Sequence, residues 1–180
     1  MDSLSTLSVG SLRRRNRAQR IIPSLNFSCD GAISKWIIGA QWYDGGTAFP
    51  DLQLWRSSSR NGVYTKVGNT TLSATSENSS SVYELEVKPS LPFQRGDILG
   101  IFQPSAQLSR LRIYYRAGSG NPQNFVFRPP AASSVTEPPL ESFTTTSSNV
   151  MIQSALPLVT VEICKPCFVI AAEPFQPLQI

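Results

Sequence analysis

Through much of this chain apolar and polar residues alternate one by one, a period that belongs to strands with one buried face. The cleanest stretch is 81–88, where Tyr83, Leu85 and Val87 point one way and Glu84, Glu86 and Lys88 the other. Pro89 is expected to end that strand, because proline cannot donate to a ladder. Residues 32–43 alternate too, with Ala32, Trp36, Ile38, Ala40 and Trp42 on the inner face and Asp44-Gly45-Gly46 as the turn that follows. Residues 51–56 and 63–67 flank a loop ending in Asn61-Gly62 and predict a hairpin. Residues 98–102 are apolar on both sides, which predicts a central strand. Further strands are expected at 109–117, 125–127 and 157–163.

About nine short strands, bends every ten residues or so and few helical patterns predict an all-β, antiparallel β-sandwich. A jelly-roll and an Ig-like sandwich are both open, because alternation carries no connectivity. Residues 1–20 read as a flexible, disordered basic leader and 21–163 as the sandwich domain. Within it, 129–149 is rich in Pro, Ser and Thr and reads as a surface loop. Residues 164–180 form a Pro-containing tail with no regular pattern.

The net charge is +4, but its placement matters more than its sum. Arg13, Arg14, Arg15, Arg17 and Arg20 crowd the leader, and Arg17 and Arg20 have the spacing of an Arg-x-x-Arg processing site. The plainer account of them is a solvated basic arm. Five of the 16 basic and one of the 12 acidic residues precede Ile21, so the domain itself balances 11 against 11. A domain without a basic excess is not expected to bind nucleic acid. The chain contains no His, which removes the commonest general base and metal ligand. The expectation is no enzyme, no metal and no cofactor.

Compartment signals pull in two directions. The first twelve residues lack the apolar core of a secretory signal, and the apolar run 168–172 is too short to span a bilayer. An extracellular or cell-surface protein is therefore expected to need a longer chain than this, and membrane attachment a part not seen here. Asn26, Asn69 and Asn78 nevertheless open Asn-x-Ser/Thr sequons, with Asn69 and Asn78 expected in a polar loop. Cys29, Cys164 and Cys167 are disulfide candidates, and three free thiols are the alternative. The spacing of Cys164 and Cys167 also suits redox or zinc chemistry, but zinc needs a second ligand pair.

Other candidate sites are few. Arg95-Gly96-Asp97 spells an integrin-type tripeptide, and a Gly-Asp turn into Ile98 explains the same residues more simply. Trp55 runs out of phase with Leu52 and Leu54 and is the candidate surface aromatic for stacking on a sugar. Asp30, Asp44, Asp51 and Asp97 lie near turns without forming a dense acidic loop.

Several short motifs occur together: Phe27-x-Cys29-x-Gly31 with Trp36, 50–56, Tyr64-x-Lys66-Val67, 91–104, Tyr114-Tyr115 and 157–161. This set resembles an uncharacterised β-sandwich ectodomain module of extracellular and single-pass membrane proteins of early-branching animals. The likeness spans about 21–163 and implies an ectodomain, with no ligand or catalytic residue to carry over. The function expected is a non-catalytic extracellular recognition or cell-adhesion module that binds a protein partner. A carbohydrate-binding module using Trp55 or loop aromatics is the alternative. A carboxylate-based hydrolase and an intracellular protein with a nucleic-acid-touching basic arm stand further back.

Overall fold

A computed structural model describes residues 7–9, 18–58, 60–105, 108–117, 124–127, 140–148, 150–153, 155–164 and 169–170. These residues form strands and turns, with no helix among them. In chain order the strands are β1 (Leu7–Val9), β2 (Ala18–Phe27), β3 (Gly31–Trp42), β4 (Asp51–Ser57), β5 (Val63–Thr71), β6 (Val82–Phe93) and β7 (Ile98–Gln103). They continue with β8 (Leu111–Ala117), β9 (Asn124–Phe127), β10 (Ser142–Thr144), β11 (Val150–Gln153), β12 (Ala155–Pro157), β13 (Val159–Ile163) and β14 (Val169–Ile170).

Two antiparallel sheets pack face to face, as the alternation predicts. The larger runs β10-β5-β4-β7-β2-β9-β11, with β14 beside β2. The smaller holds β1, β8, β3 and β13, with β12 beside β8 and β6 beside β3. The connections β3–β4 and β6–β7 both cross between sheets, while β3 pairs with β6 and β4 with β7. The two crossings interlock, so each sheet holds one ladder between strands whose chain neighbours pair in the other sheet.

Between the sheets lies the main core. Ile22, Leu52, Leu54, Leu99 and Ile101 from the larger sheet meet Ile33, Trp36, Ile38, Leu111 and Ile113 from the smaller. These side chains are fully or almost fully buried. Each such burial is worth about 1.5–3 kcal/mol relative to exposure. β12 and β13 enter a fork between β8 and β3. Leu158, at the junction, donates its N–H to the Tyr114 carbonyl and accepts the Gly39 N–H, so one residue ties both arms of the fork.

The outer face of the larger sheet is also buried, which the alternation does not reveal. Ile21, Trp55, Ile98 and Phe143 form a second cluster there, backed by Tyr64, Phe125, Phe127, Leu140 and Val150. Phe143 belongs to β10, inside the stretch read from sequence as loop, where it pairs with Tyr64 on β5. That stretch holds few core formers among its Pro, Ser and Thr residues, so composition alone marks it as loop.

Other boundaries shift for similar reasons. β2 begins at Ala18, not Ile21, because Ala18, Gln19 and Arg20 pair with β7. Arg20 is 5% exposed, and its guanidinium lies 4.6 Å from the Tyr115 ring centroid. It belongs to the sandwich interior and not to a solvated leader. Leu7–Val9, also within the expected leader, pairs with β8. β6 continues through Pro89 and Pro92, since it is flanked by β3 alone and its ladder shifts register between Ile33 and Lys35. A proline at such an edge and bulge interrupts no ladder hydrogen bond. In the expected irregular tail, Val169 and Ile170 pair with Phe27 and Asn26.

Two outcomes follow from this packing. A Cβ on Gly100 would overlap Trp55 Nε1, which crosses β7 at that point. Gly100→Ala is expected to cost about 1–3 kcal/mol, the usual range for overpacking, read as a lowered urea midpoint. Burial raises the Tyr115 hydroxyl above its ordinary value of 10.0, and Arg20 pulls the other way without cancelling the rise. Stability from the buried neutral phenol is full below the unfolded value near 10 and is lost as pH rises toward the folded value. Denaturant midpoints measured from pH 8 to 11 should fall at the alkaline end, and Tyr115→Phe should flatten that fall.

Candidate recognition face

The residues singled out from sequence do not converge on one site. Trp55, expected at the surface, is fully buried. Its phase opposite Leu52 and Leu54 is as read, but the face it points to is covered by the second cluster. The Trp55 indole N–H donates to Gln53 Oε1 at 2.9 Å, and Gln19 Nε2 donates to the same oxygen at 2.6 Å. Gln53 Nε2 in turn donates to Asp51 Oδ2 at 2.8 Å. Asn69 and Thr71 complete the chain by donating to Asp51 Oδ1. Asp51 is therefore a structural acceptor, and Trp55 offers no platform to a sugar.

Arg95-Gly96-Asp97 is likewise built into the fold. Asp97 is fully buried and takes a two-pronged contact from Arg56, Nε to Oδ1 at 2.7 Å and Nη2 to Oδ2 at 2.9 Å. It also accepts the Gln94 N–H at 2.8 Å. Donating to the Asp97 carboxylate raises the Arg56 pKa above its ordinary value. Gly96, at φ +88°, supplies the left-handed turn and donates its N–H to the Phe27 carbonyl. Asp97 thus closes a turn and cannot be presented to a receptor. Arg95 and Gly96 remain exposed, and the Arg95 N–H donates to Asp30 Oδ1.

The sequons separate. Asn78 is exposed in the loop between β5 and β6, where its Oδ1 caps the Ser80 N–H and its Nδ2 donates to the Val82 carbonyl. Asn69 lies on β5, not in the expected polar loop, with its amide on Asp51. Asn26 is half-buried on β2, with its amide 3.4 Å from the Pro23 carbonyl. Cys29 is disulfide-bonded and Cys164 is an exposed free thiol. Three free thiols are thereby excluded, and Cys164 is not the partner of Cys29. Cys167 lies outside the described residues. Among the described residues no cluster of three or more His, Cys, Asp or Glu could hold a metal ion.

Among the described residues, the outer face of the smaller sheet is the broad sheet face left open to solvent. The residues between the core positions of β3, β6, β8 and β13 project there. At one end Lys35 sits opposite Glu86 and Glu162 in register. Its ammonium lies 3.1 Å from Glu84 and 3.2 Å from Glu162, whose hydrogen bonds raise its pKa. In the middle Gly39 leaves room for Leu158 to lie across the strand, and Val82 opposite it is exposed. At the other end the Arg112 guanidinium stacks 3.9 Å from the centroid of Tyr43, itself 38% exposed. On the inner side of the same end Trp42 packs against the main core, with Arg110 lying over its ring and donating to the Gly46 carbonyl. Trp42 is stacked with Tyr83 on one side and donates its indole N–H to Asp44.

Stacking on the Tyr43 ring holds the Arg112 guanidinium in one orientation before anything binds, which lowers the ordering cost of association. The face thus offers a charged end and an Arg–aromatic end. No family model, no curated protein and no solved structure matches the chain, so this geometry carries the functional reading alone.

Sequence reasoning passed over Lys35, Tyr43, Arg110 and Arg112. The signal for the arginines was present in the polar half of the β8 alternation, where Arg110, Arg112 and Arg116 oppose Leu111, Ile113 and Tyr115. A further outcome separates the tripeptide's two readings. Arg95→Ala should change stability by less than about 0.5 kcal/mol. Asp97→Ala, which strands the buried Gln94 N–H and the Arg56 pair, should cost about 1–3 kcal/mol. Equal effects in chemical denaturation would contradict this account of the turn.

Proposed function

We propose that the chain is a non-catalytic extracellular recognition or cell-adhesion module that engages a protein partner through the outer face of its smaller sheet. The observation that carries this reading is the unequal treatment of the two sheets. The larger has a second layer over its outer face, whereas the smaller presents an open surface with Arg112 pre-oriented on Tyr43. Arg, Tyr and Trp dominate the residues that anchor protein interfaces. A broad surface of this kind fits another protein better than it fits a small molecule, which favours a concave site.

The Cys29 disulfide supports the extracellular reading of the compartment. A structural disulfide persists in oxidising surroundings and is rare in the cytosol. The exposed sequon at Asn78 fits the same surroundings. The glycan-binding alternative loses Trp55, which is buried, and is left with the loop aromatics.

The test uses the chain secreted from an animal cell line, made multivalent and applied to cells of the tissue that expresses it. Tyr43→Ala and Lys35→Glu are expected to weaken staining about tenfold or more, the scale of an interface anchor, with no change in melting temperature. Staining that both variants leave intact would sink this surface as the site. Peptide mapping of the secreted chain should find Cys29 oxidised, Cys164 open to alkylation and Asn78 glycosylated. A reduced Cys29 with an unmodified Asn78 would count against the compartment.

A further inference from the structure

β11 is the last strand of the larger sheet, and among the described strands it pairs only with β9. Its sequence, Val150-Met151-Ile152-Gln153, carries no charge and no proline. Met151 is 43% exposed and Ile152 is 59% exposed, making Ile152 the more open of two consecutive large apolar residues. Being neighbours on a strand, they point to opposite faces. Met151 stands beside Val126 on the side of the sheet that faces the smaller sheet, and Ile152 stands beside Phe125 on the other side. A segment laid on either face would cover one of them and leave the other in water. A strand added in the plane of the sheet flanks both at once.

The backbone points the same way. Val150 donates its N–H to the Ser147 carbonyl, in the turn that leads into the strand. Peptide groups alternate in direction along an antiparallel strand, so Ile152, two residues on, also turns its N–H and C=O toward the open edge. Natural edges are usually blunted by charge and proline. β6, an edge of the smaller sheet, is blunted in this way by Glu84, Glu86, Lys88, Pro89 and Pro92. β11 carries none of these guards.

We infer that β11 is a self-association edge, at which a second copy of this chain adds its own β11 antiparallel to make one continuous sheet. The two-fold relation places Ile152 opposite Ile152 of the second copy and Met151 opposite Gln153 of the second copy. Every pair in this register is uncharged, so self-pairing meets no like-charge repulsion. Each chain uses its single β11 edge, and the assembly closes at two. This surface is separate from the outer face of the smaller sheet, which the dimer leaves open on both copies.

The test is sedimentation velocity of the full chain from about 1 to 500 µM, a span that brackets contacts of this size. It is run beside Ile152→Lys and Met151→Lys, with circular dichroism to verify that both variants fold. Wild-type chain is expected to pass from monomer to dimer, with each lysine weakening the dimer at least tenfold. The Ile152 amide should exchange more slowly with deuterium at the concentrated end. A chain that stays monomeric, a dimer indifferent to both lysines, or an open-ended polymer would each overturn the inference.

Discussion

Strand β4 has no solvent face. From Asp51 to Trp55 every residue is buried, because the larger sheet packs against the smaller on one side and lies under a second layer on the other. Leu52 and Leu54 meet this constraint by packing in the main core. Asp51, Gln53 and Trp55 meet it by bonding sideways to one another and to Gln19, Asn69 and Thr71. A buried polar group left without a partner is costly, so this lateral ladder is the condition on which double burial rests. It ties β2, β4 and β5 together across the sheet. It also consumes the residues that looked available for ligands.

The same economy governs the turn at Asp97. Its carboxylate is buried at the start of β7 and is acceptable there because Arg56 and the Gln94 N–H satisfy it. What resembles a presented tripeptide is a device for closing β6 onto β7. Chemistry that seemed free in one dimension is thus spent on holding the sandwich, and free surface is left elsewhere. It lies on the outer face of the smaller sheet and along the β11 edge, where side chains meet water and strand pairing stops.

Much of the architecture was legible in the residues. The strands at 32–43, 51–56, 98–102 and 109–117 stand close to their expected places, and Ile98–Gln103 is central, lying between β4 and β2 as its two-sided apolar character implies. Legibility failed where burial came from outside the strand itself. Trp55 was read to the correct face, but that face was taken as open because alternation says nothing about a second layer. Arg20 was read as leader because charge outweighs position in composition, whereas cation–aromatic packing on Tyr115 lets a guanidinium enter the interior. Pro89 was read as a terminator because the strand's place at an edge is a property of pairing.

The sequence by itself determined that this is a sandwich of antiparallel strands, since two-residue periodicity is a local consequence of strand geometry and of the hydrophobic effect acting residue by residue. Only the tertiary structure decided which faces stay wet, which strands sit at edges and which cysteine is bonded. Those outcomes depend on contacts between residues far apart in the chain, such as Phe143 over Trp55 and Asp97 beneath Arg56. No local pattern encodes a neighbour that arrives from forty or ninety positions away.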